Sequence, residues 1–208
     1  NSLSGSRKNI AEHYDLSNDF FKLFLDSSMM YSSAVYQHKD MTLEQASDYK
    51  KELICQKLQL KPMDHLVEIG SGWGGFAIYA AQNYGCKVTT ITISQAQYDE
   101  ATKRIADAGL SHRVDVQLID YRLLEGKFDK LVSIEMIEAV GEQYLSTYFN
   151  KCRSLLKPNG LGLIQAITIE DARYKKALNT VDYIKRYIFP GSFIPCISVL
   201  TQAASEQQ

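Results

Sequence analysis

Cysteine is scarce and scattered. The four thiols, Cys55, Cys86, Cys152 and Cys196, form no CxxC pair. A disulfide framework or a zinc site would draw them closer, so they read as reduced cysteines of a cytoplasmic protein, and no metal is expected. The four histidines are equally dispersed. Neither sign of charge dominates: 23 Lys and Arg face 24 Asp and Glu, a formal net charge of −1. A nucleic-acid-binding face usually shows as a basic excess, so no nucleic-acid partner is expected. Neutrality leaves room for a local patch facing a lipid surface. No apolar run approaches the roughly 18 residues that span a bilayer, and no signal peptide is visible in these residues, so none is expected. The chain opens at Asn1, not Met, and residues 1–6 read like a linker, so the sequence is expected to be a piece of a longer protein.

What remains is ordinary globular composition, 45% hydrophobic and 23% charged over 208 residues, enough for one domain with a substantial core. Residues 1–60 lack a strand signal and read as an N-terminal helical cap. Ser17 is a good N-cap for a helix to about residue 26, with Phe20, Phe21, Phe24 and Leu25 on one face. Thr42 with Gln45 fits a capping box opening a helix to about residue 60. The rhythm then changes. Short apolar runs at 65–69, 87–93, 114–119, 130–134 and 160–167 read as strands. Helical segments at 74–84, 95–108, 144–155 and 171–188 follow or separate them. Strands alternating with helices at this spacing imply βαβ units and a mostly parallel sheet covered on both faces. The right-handed crossover rule then leaves a Rossmann-like, doubly wound α/β fold. Residues 61–170 form its core, and residues 171–208 begin a further region.

The decisive segment is Glu68-Ile69-Gly70-Ser71-Gly72-Trp73-Gly74-Gly75, directly after a strand and opening a helix. Glycines there let backbone approach a ligand, and a helix N-terminus favours a negative group. The run matches GxGxxG at Gly70, Gly72 and Gly75. A dinucleotide site, however, wants an acid about 20 positions on for the ribose hydroxyls. Thr90, Ile91 and Thr92 stand there instead, so NAD is disfavoured. Glu68, just before the first glycine, points to S-adenosylmethionine, whose amino-acid end brings an ammonium for Glu68 and a carboxylate for the loop's N–H groups. Asp120, closing the third strand, suits an adenine amine and equally suits an N-cap; both can hold.

Flanking words then become recognisable. They are 13–21 (HYDLSNDFF), Tyr31-Ser32-Ser33-Ala34, the Gly-Trp-Gly-Gly of the loop, Thr92-Ile93-Ser94-Gln95-Ala96-Gln97 and Asp120-Tyr121-Arg122. Glu135-Met136-Ile137-Glu138-Ala139-Val140-Gly141 and Tyr187-Ile188-Phe189-Pro190-Gly191 complete the set. Together they resemble the cyclopropane fatty acid synthase and mycolic acid methyltransferase family, class I S-adenosylmethionine-dependent methyltransferases, in that family's order over nearly the whole chain. The resemblance implies methyl or methylene transfer from S-adenosylmethionine to the double bond of an unsaturated fatty acyl chain, usually in a phospholipid. It implies lipid biosynthesis at a membrane surface, here the inner face. It implies cofactor contacts at Tyr31, Ser32, Glu68, Gly70, Gly72, Trp73, Gly74, Thr92, Ile93, Gln97, Asp120, Tyr121 and Arg122, with Gln97 serving the ribose or adenosine. For Tyr121, packing at a strand end is the plain alternative. Oligomeric state stays open, a dimer included.

The family is understood to hold a bicarbonate ion as the base that takes the final proton, near a Glu, a His, a Cys, an Ile amide and a distant Tyr. Glu138 matches the Glu and Ile167 the Ile. The pattern departs at Ser33, which stands for the Cys, and at Gln165, which stands for the His. Ala139 follows Glu138 where a His is common. Gln and Ser can still hydrogen-bond an anion, so bicarbonate is expected to remain compatible. Glu138 could instead be a buried structural carboxylate. By the same resemblance, the last two strands of the sheet and the family's tunnel Tyr fall beyond the chain, which would leave residues 171–208 a truncated tunnel region. Two other readings stand beside this one: a small-molecule methyltransferase, and a non-catalytic domain that keeps the cofactor fold.

Overall fold

A computed structural model describes residues 17–207; residues 1–6 and the motif residues 13–16 lie outside the described part. Five strands, β1 (His65–Ile69), β2 (Lys87–Thr92), β3 (Val114–Leu118), β4 (Phe128–Ile134) and β5 (Leu156–Gln165), form one sheet in the order β3-β2-β1-β4-β5. Every neighbouring pair is parallel. The expected Rossmann-like α/β fold is therefore present, preceded by the expected helical segment.

The sheet separates two apolar layers because successive side chains on a strand point to opposite faces. Leu66 and Val132 join one layer with Leu58, Phe76, Ala80 and Ile105. Val67 and Leu131, one residue away on the same strands, join the other with Tyr148, Leu155 and Ala203. The first layer is covered by α2 (Leu43–Leu58), α3 (Gly75–Tyr84) and α4 (Gln95–Asp107). The second is covered by α5 (Leu145–Leu155), α6 (Asp171–Leu178) and α7 (Ile197–Ser205). A short helix, α1 (Asn18–Lys22), packs outside this frame: its Phe21 ring lies 4.8 Å from Trp73.

Local signals hold where the chemistry is local. Ser17 caps α1, and both hydrogen bonds of the Thr42–Gln45 capping box form. Four differences have physical causes. The first helix stops at Lys22 rather than near 26, because the chain turns there and Asp26 gathers the amides of Ser28 and Met30. Strand β5 begins at Leu156 instead of 160. Its entry carries a register shift against β4 around Pro158, with Asn159 at φ +64°, and a proline in an apolar run reads as a stop. The helix expected over 171–188 breaks after Leu178, where the Asn179 amide and the Thr180 hydroxyl donate to the carbonyls of Lys175 and Lys176. Such side chains compete for helical backbone; a π-helical turn, Ile184–Ile188, follows. Helix α7 has no counterpart in the expected elements, since the C-terminal run is polar. It forms because Val199, Leu200 and Ala203 reach the second apolar layer.

Candidate active site

Strands β1, β2 and β3 succeed one another in one direction across the sheet, and β4 then crosses to the far side of β1. The crevice beyond the C-terminal ends of β1 and β4 is the switch point at which open α/β sheets bind ligands. A cavity of about 440 Å³ lies there, lined by Glu68, Gly70, Gly72, Gln97, Asp120 and Glu135 among others.

The glycine loop shapes its floor. Gly70, Gly72 and Gly74 all have positive φ, which a side chain would strain. A Cβ at Gly72 would meet nothing within 4 Å, so it would project into open cavity. Gly74 serves packing instead, since its Cβ would touch Ala101 of α4 at 3.3 Å, and it does not line the cavity. Trp73 lines the cavity but is only 1% exposed, and its indole N–H donates to Asn18 Oδ1 at 2.8 Å, which ties α1 to the loop.

Glu68 is fully enclosed. The Thr90 hydroxyl donates to its Oε2 at 2.6 Å. Burial pushes its carboxyl up to about 8, with the Thr90 bond pulling the other way. A buried carboxyl with one neutral donor and a wall on the cavity is suited to a cationic group. Gln97, 6% exposed, accepts from the Thr92 hydroxyl at 2.9 Å, and this bond orients the amide at the cavity. Ile93 lies in the turn just after β2 and lines the same wall. Asp120 does act as an N-cap: its Oδ1 accepts from the Arg122 amide at 3.0 Å, and its Oδ2 pairs with the Arg122 guanidinium at 2.7 Å. Tyr121 lines the cavity while its ring packs edge-on against Tyr148, so its packing role and its cavity position coexist.

The segment from Asp26 to Ser33 contributes Met29, Met30, Tyr31 and Ser32 to the lining. Arg104 of α4 fastens it by donating to the carbonyls of Ser27 and Ser28 at 2.9 and 3.0 Å. Tyr31 and Ser32 of this segment line the cavity. Buried Lys50 of α2 donates to the Ser32 hydroxyl at 2.6 Å; burial pulls its ammonium down to about 8, against the opposing charge of Glu135.

The remaining expected residues divide. Glu138 and Ile167 line the cavity, whereas Ser33 and Gln165 do not. The Ile167 amide donates to Glu138 Oε1 at 2.6 Å. Glu138 Oε2 is buried without a hydrogen-bond partner among the described residues. Burial raises the Glu138 pKa, the Ile167 bond opposes, and the Glu135 charge adds to the rise. Glu135 lines the cavity as well, and the sequence reading does not single it out. The backbone N–H and hydroxyl of Ser33 donate to its Oε1 at 3.0 and 3.1 Å, and Gln165 Nε2 donates to the same oxygen at 2.8 Å. A signal exists: like Glu68 near the end of β1 and Asp120 after β3, Glu135 is an acid at the close of an apolar strand, at the binding end of the sheet.

All 208 residues match the family described as Mycolic acid cyclopropane synthetase. The chain belongs to the mycolic acid cyclopropane synthetase family. It is 42% identical over 193 residues to the cyclopropane-fatty-acyl-phospholipid synthase of Escherichia coli, covering 93% of this chain and 48% of that protein. It is 39% identical over 199 residues to the tuberculostearic acid methyltransferase UfaA1 of Mycobacterium tuberculosis, covering 91% and 46%. A solved structure of mycolic acid cyclopropane synthase CmaA1 complexed with SAH and CTAB superposes with a TM-score of 0.88 at 30% identity, covering 97% of this chain and 74% of that one. The chain spans about half the length of the curated relatives it matches.

Proposed function

We propose that the protein containing this chain transfers a methyl or methylene group from S-adenosylmethionine to the double bond of an unsaturated fatty acyl chain, giving a cyclopropane or methyl-branched product. The observation that carries the reading is the cavity itself. Its lining joins glycine backbone, the enclosed Glu68, Gln97 and Asp120 to an apolar and aromatic set, Tyr31, Ile167, Ile184, Phe189 and Phe193. The first set suits an amino acid joined to a nucleoside, and the second suits a hydrocarbon tail.

Within this reading Glu68 receives the cofactor's ammonium, the loop amides its carboxylate, Gln97 the ribose, and Asp120 with Tyr121 and Arg122 the adenine. When bound, the cofactor supplies an electrophilic methyl on a sulfonium. The chain itself has to hold an alkene, a poor nucleophile, against that methyl and to exclude water. Aromatic faces such as Tyr31 and Phe189 can ease the positive charge that then develops on the acyl chain. Glu138 ties down the acyl end of the wall, since its carboxylate holds the Ile167 amide and its carbonyl accepts from the Phe193 amide at 3.0 Å. Bicarbonate fits poorly as the resident base: the Ser33, Gln165 and Ile167 donors that would hold it are engaged by Glu135 and Glu138. No step is therefore routed through it.

A membrane surface is the expected source of the acyl chain. No helix among the described residues is long and apolar enough to cross a membrane. Val181, Tyr183 and Tyr187 are 72%, 68% and 63% exposed beside Lys185 and Arg186, a composition suited to peripheral contact.

Calorimetry and lipid analysis on the full-length protein test the proposal. S-adenosylhomocysteine should bind, and Gly72→Val should abolish binding by filling the floor of the cavity, with folding followed in parallel by circular dichroism. Mass spectrometry of lipids from expressing cells should reveal acyl chains heavier by one carbon. Undiminished affinity in the variant, or unaltered lipids, would refute it.

A further inference from the structure

We infer that Glu135 is the base that takes the proton in the last step of the reaction, in place of a bound bicarbonate. The inference rests on the function proposed above and adds a catalytic residue to it.

Three observations converge. Glu135 lines the cavity, while Ser33 and Gln165 stand outside the lining and both donate to Glu135 Oε1. The donors assigned by family resemblance to an exogenous anion thus hold a carboxylate that the chain itself carries. Second, Glu135 adopts φ +48°. A non-glycine residue in that region costs about 1–3 kcal/mol and persists where its surroundings over-determine it, often at active sites. Glycine would sit there without strain, so the carboxylate is retained against a local penalty. Third, a further donor that the resemblance assigns to the anion, the Ile167 amide, is taken by Glu138. A bicarbonate added here would be a third negative group beside Glu135 and Glu138 with its donors already engaged, which like-charge repulsion opposes.

The anchoring also selects the reacting atom. With Oε1 fixed by three donors, Oε2 has no hydrogen bond from the described residues and is left to accept a proton. The alkene's π pair forms a bond to the sulfonium methyl, and the C–S bond breaks with its electrons going to sulfur. Positive charge remains on the second alkene carbon. Glu135 Oε2 then removes a proton from the transferred methyl, and the released C–H pair forms the bond that closes the ring. The products are the cyclopropane, S-adenosylhomocysteine and a protonated Glu135 that returns its proton to water.

The test uses the full-length protein with S-adenosylmethionine and vesicles of an unsaturated phospholipid. Glu135→Gln keeps an oxygen for Ser33 and Gln165 but replaces the base with an amide. Turnover should fall by about 10²–10⁴-fold, as for loss of a general base, with S-adenosylhomocysteine affinity unchanged. Glu135→Gly, which suits the backbone angle and so preserves the fold, should vacate the donors. ¹³C-bicarbonate should then bind the glycine variant in NMR titrations and restore part of its turnover, while the wild type neither binds bicarbonate nor responds to it at fixed pH. Full turnover in Glu135→Gln would overturn the inference, as would a wild-type rate that rises with bicarbonate. If the wild type modifies no lipid at all, the proposed function fails instead, and the bicarbonate titration still decides whether Glu135 fills the anion site.

Discussion

In the proposed function, Glu68 concentrates the electrostatics of cofactor binding in one side chain. Its carboxyl is pushed up to about 8 by burial, so near neutral pH the ligand-free protein holds it protonated. An ammonium placed beside it favours the ionised form, so cofactor binding at pH 7 should release a proton. Affinity for S-adenosylhomocysteine should then climb between about pH 6 and 8, by up to about tenfold per unit. The sign for stability is opposite. The folded ligand-free state binds this proton more tightly than the unfolded chain, so the group's contribution falls as pH rises from its ordinary value of 4.5 towards about 8. Calorimetry in two buffers of different ionisation enthalpy measures the proton directly. Glu68→Gln should bind more weakly and lose the pH dependence.

At the level of elements, the glycine loop and the segment before Tyr31 meet in a tight joint beside the cavity. Gly75 opens α3, and a Cβ there would lie 2.3 Å from the Ser28 carbonyl oxygen, far inside contact distance. The same carbonyl is gripped by Arg104 at 3.0 Å, so it cannot retreat without breaking that bond. Alanine is the better helix former by up to about 1 kcal/mol, yet overpacking costs about 1–3 kcal/mol. Gly75→Ala should therefore lower the melting temperature and, because Met29, Met30 and Tyr31 line the cavity, weaken S-adenosylhomocysteine binding as well. Thermal unfolding and calorimetry check both; an unchanged melting temperature would count against this joint.

Over the whole molecule the charge is nearly balanced at −1, so attraction to a lipid surface has to come from a patch. Arg186 lies 5.5 Å over the Tyr187 ring, next to exposed Tyr183 and Val181. Vesicles containing anionic unsaturated phospholipids should bind the full-length protein, and added salt should weaken binding. A basic residue near such a surface contributes about 1 kcal/mol, so Arg186→Ala should reduce vesicle affinity about fivefold in cosedimentation. Binding indifferent to salt would point to purely apolar insertion.

Much of this architecture is decided within a few residues of chain. Strand β1 runs over His65–Ile69 as its apolar run indicates, the capping box forms from Thr42 and Gln45, and the glycine loop follows β1 and opens α3. Alternation and caps act over two to four positions, and a linear sequence displays them. Helix α7 and the break at Asn179 are less legible, because burial against a distant layer and side-chain competition for carbonyls settle them. The residues proposed for the cofactor are legible because they sit on contiguous strand–turn words: Glu68 to Gly72, Thr92 to Gln97, Asp120 to Arg122. The Glu135 cluster is not. Ser33 and Glu135 are 102 positions apart and Gln165 is 30 positions further along, and only the strand order together with the path of the Asp26–Ser33 segment brings them to one oxygen. Sequence by itself determined the fold and the residue types available for chemistry. Tertiary structure decided which carboxylate receives the donors, because hydrogen bonds are assigned by proximity in space, and proximity across about 100 residues is a property of the sheet.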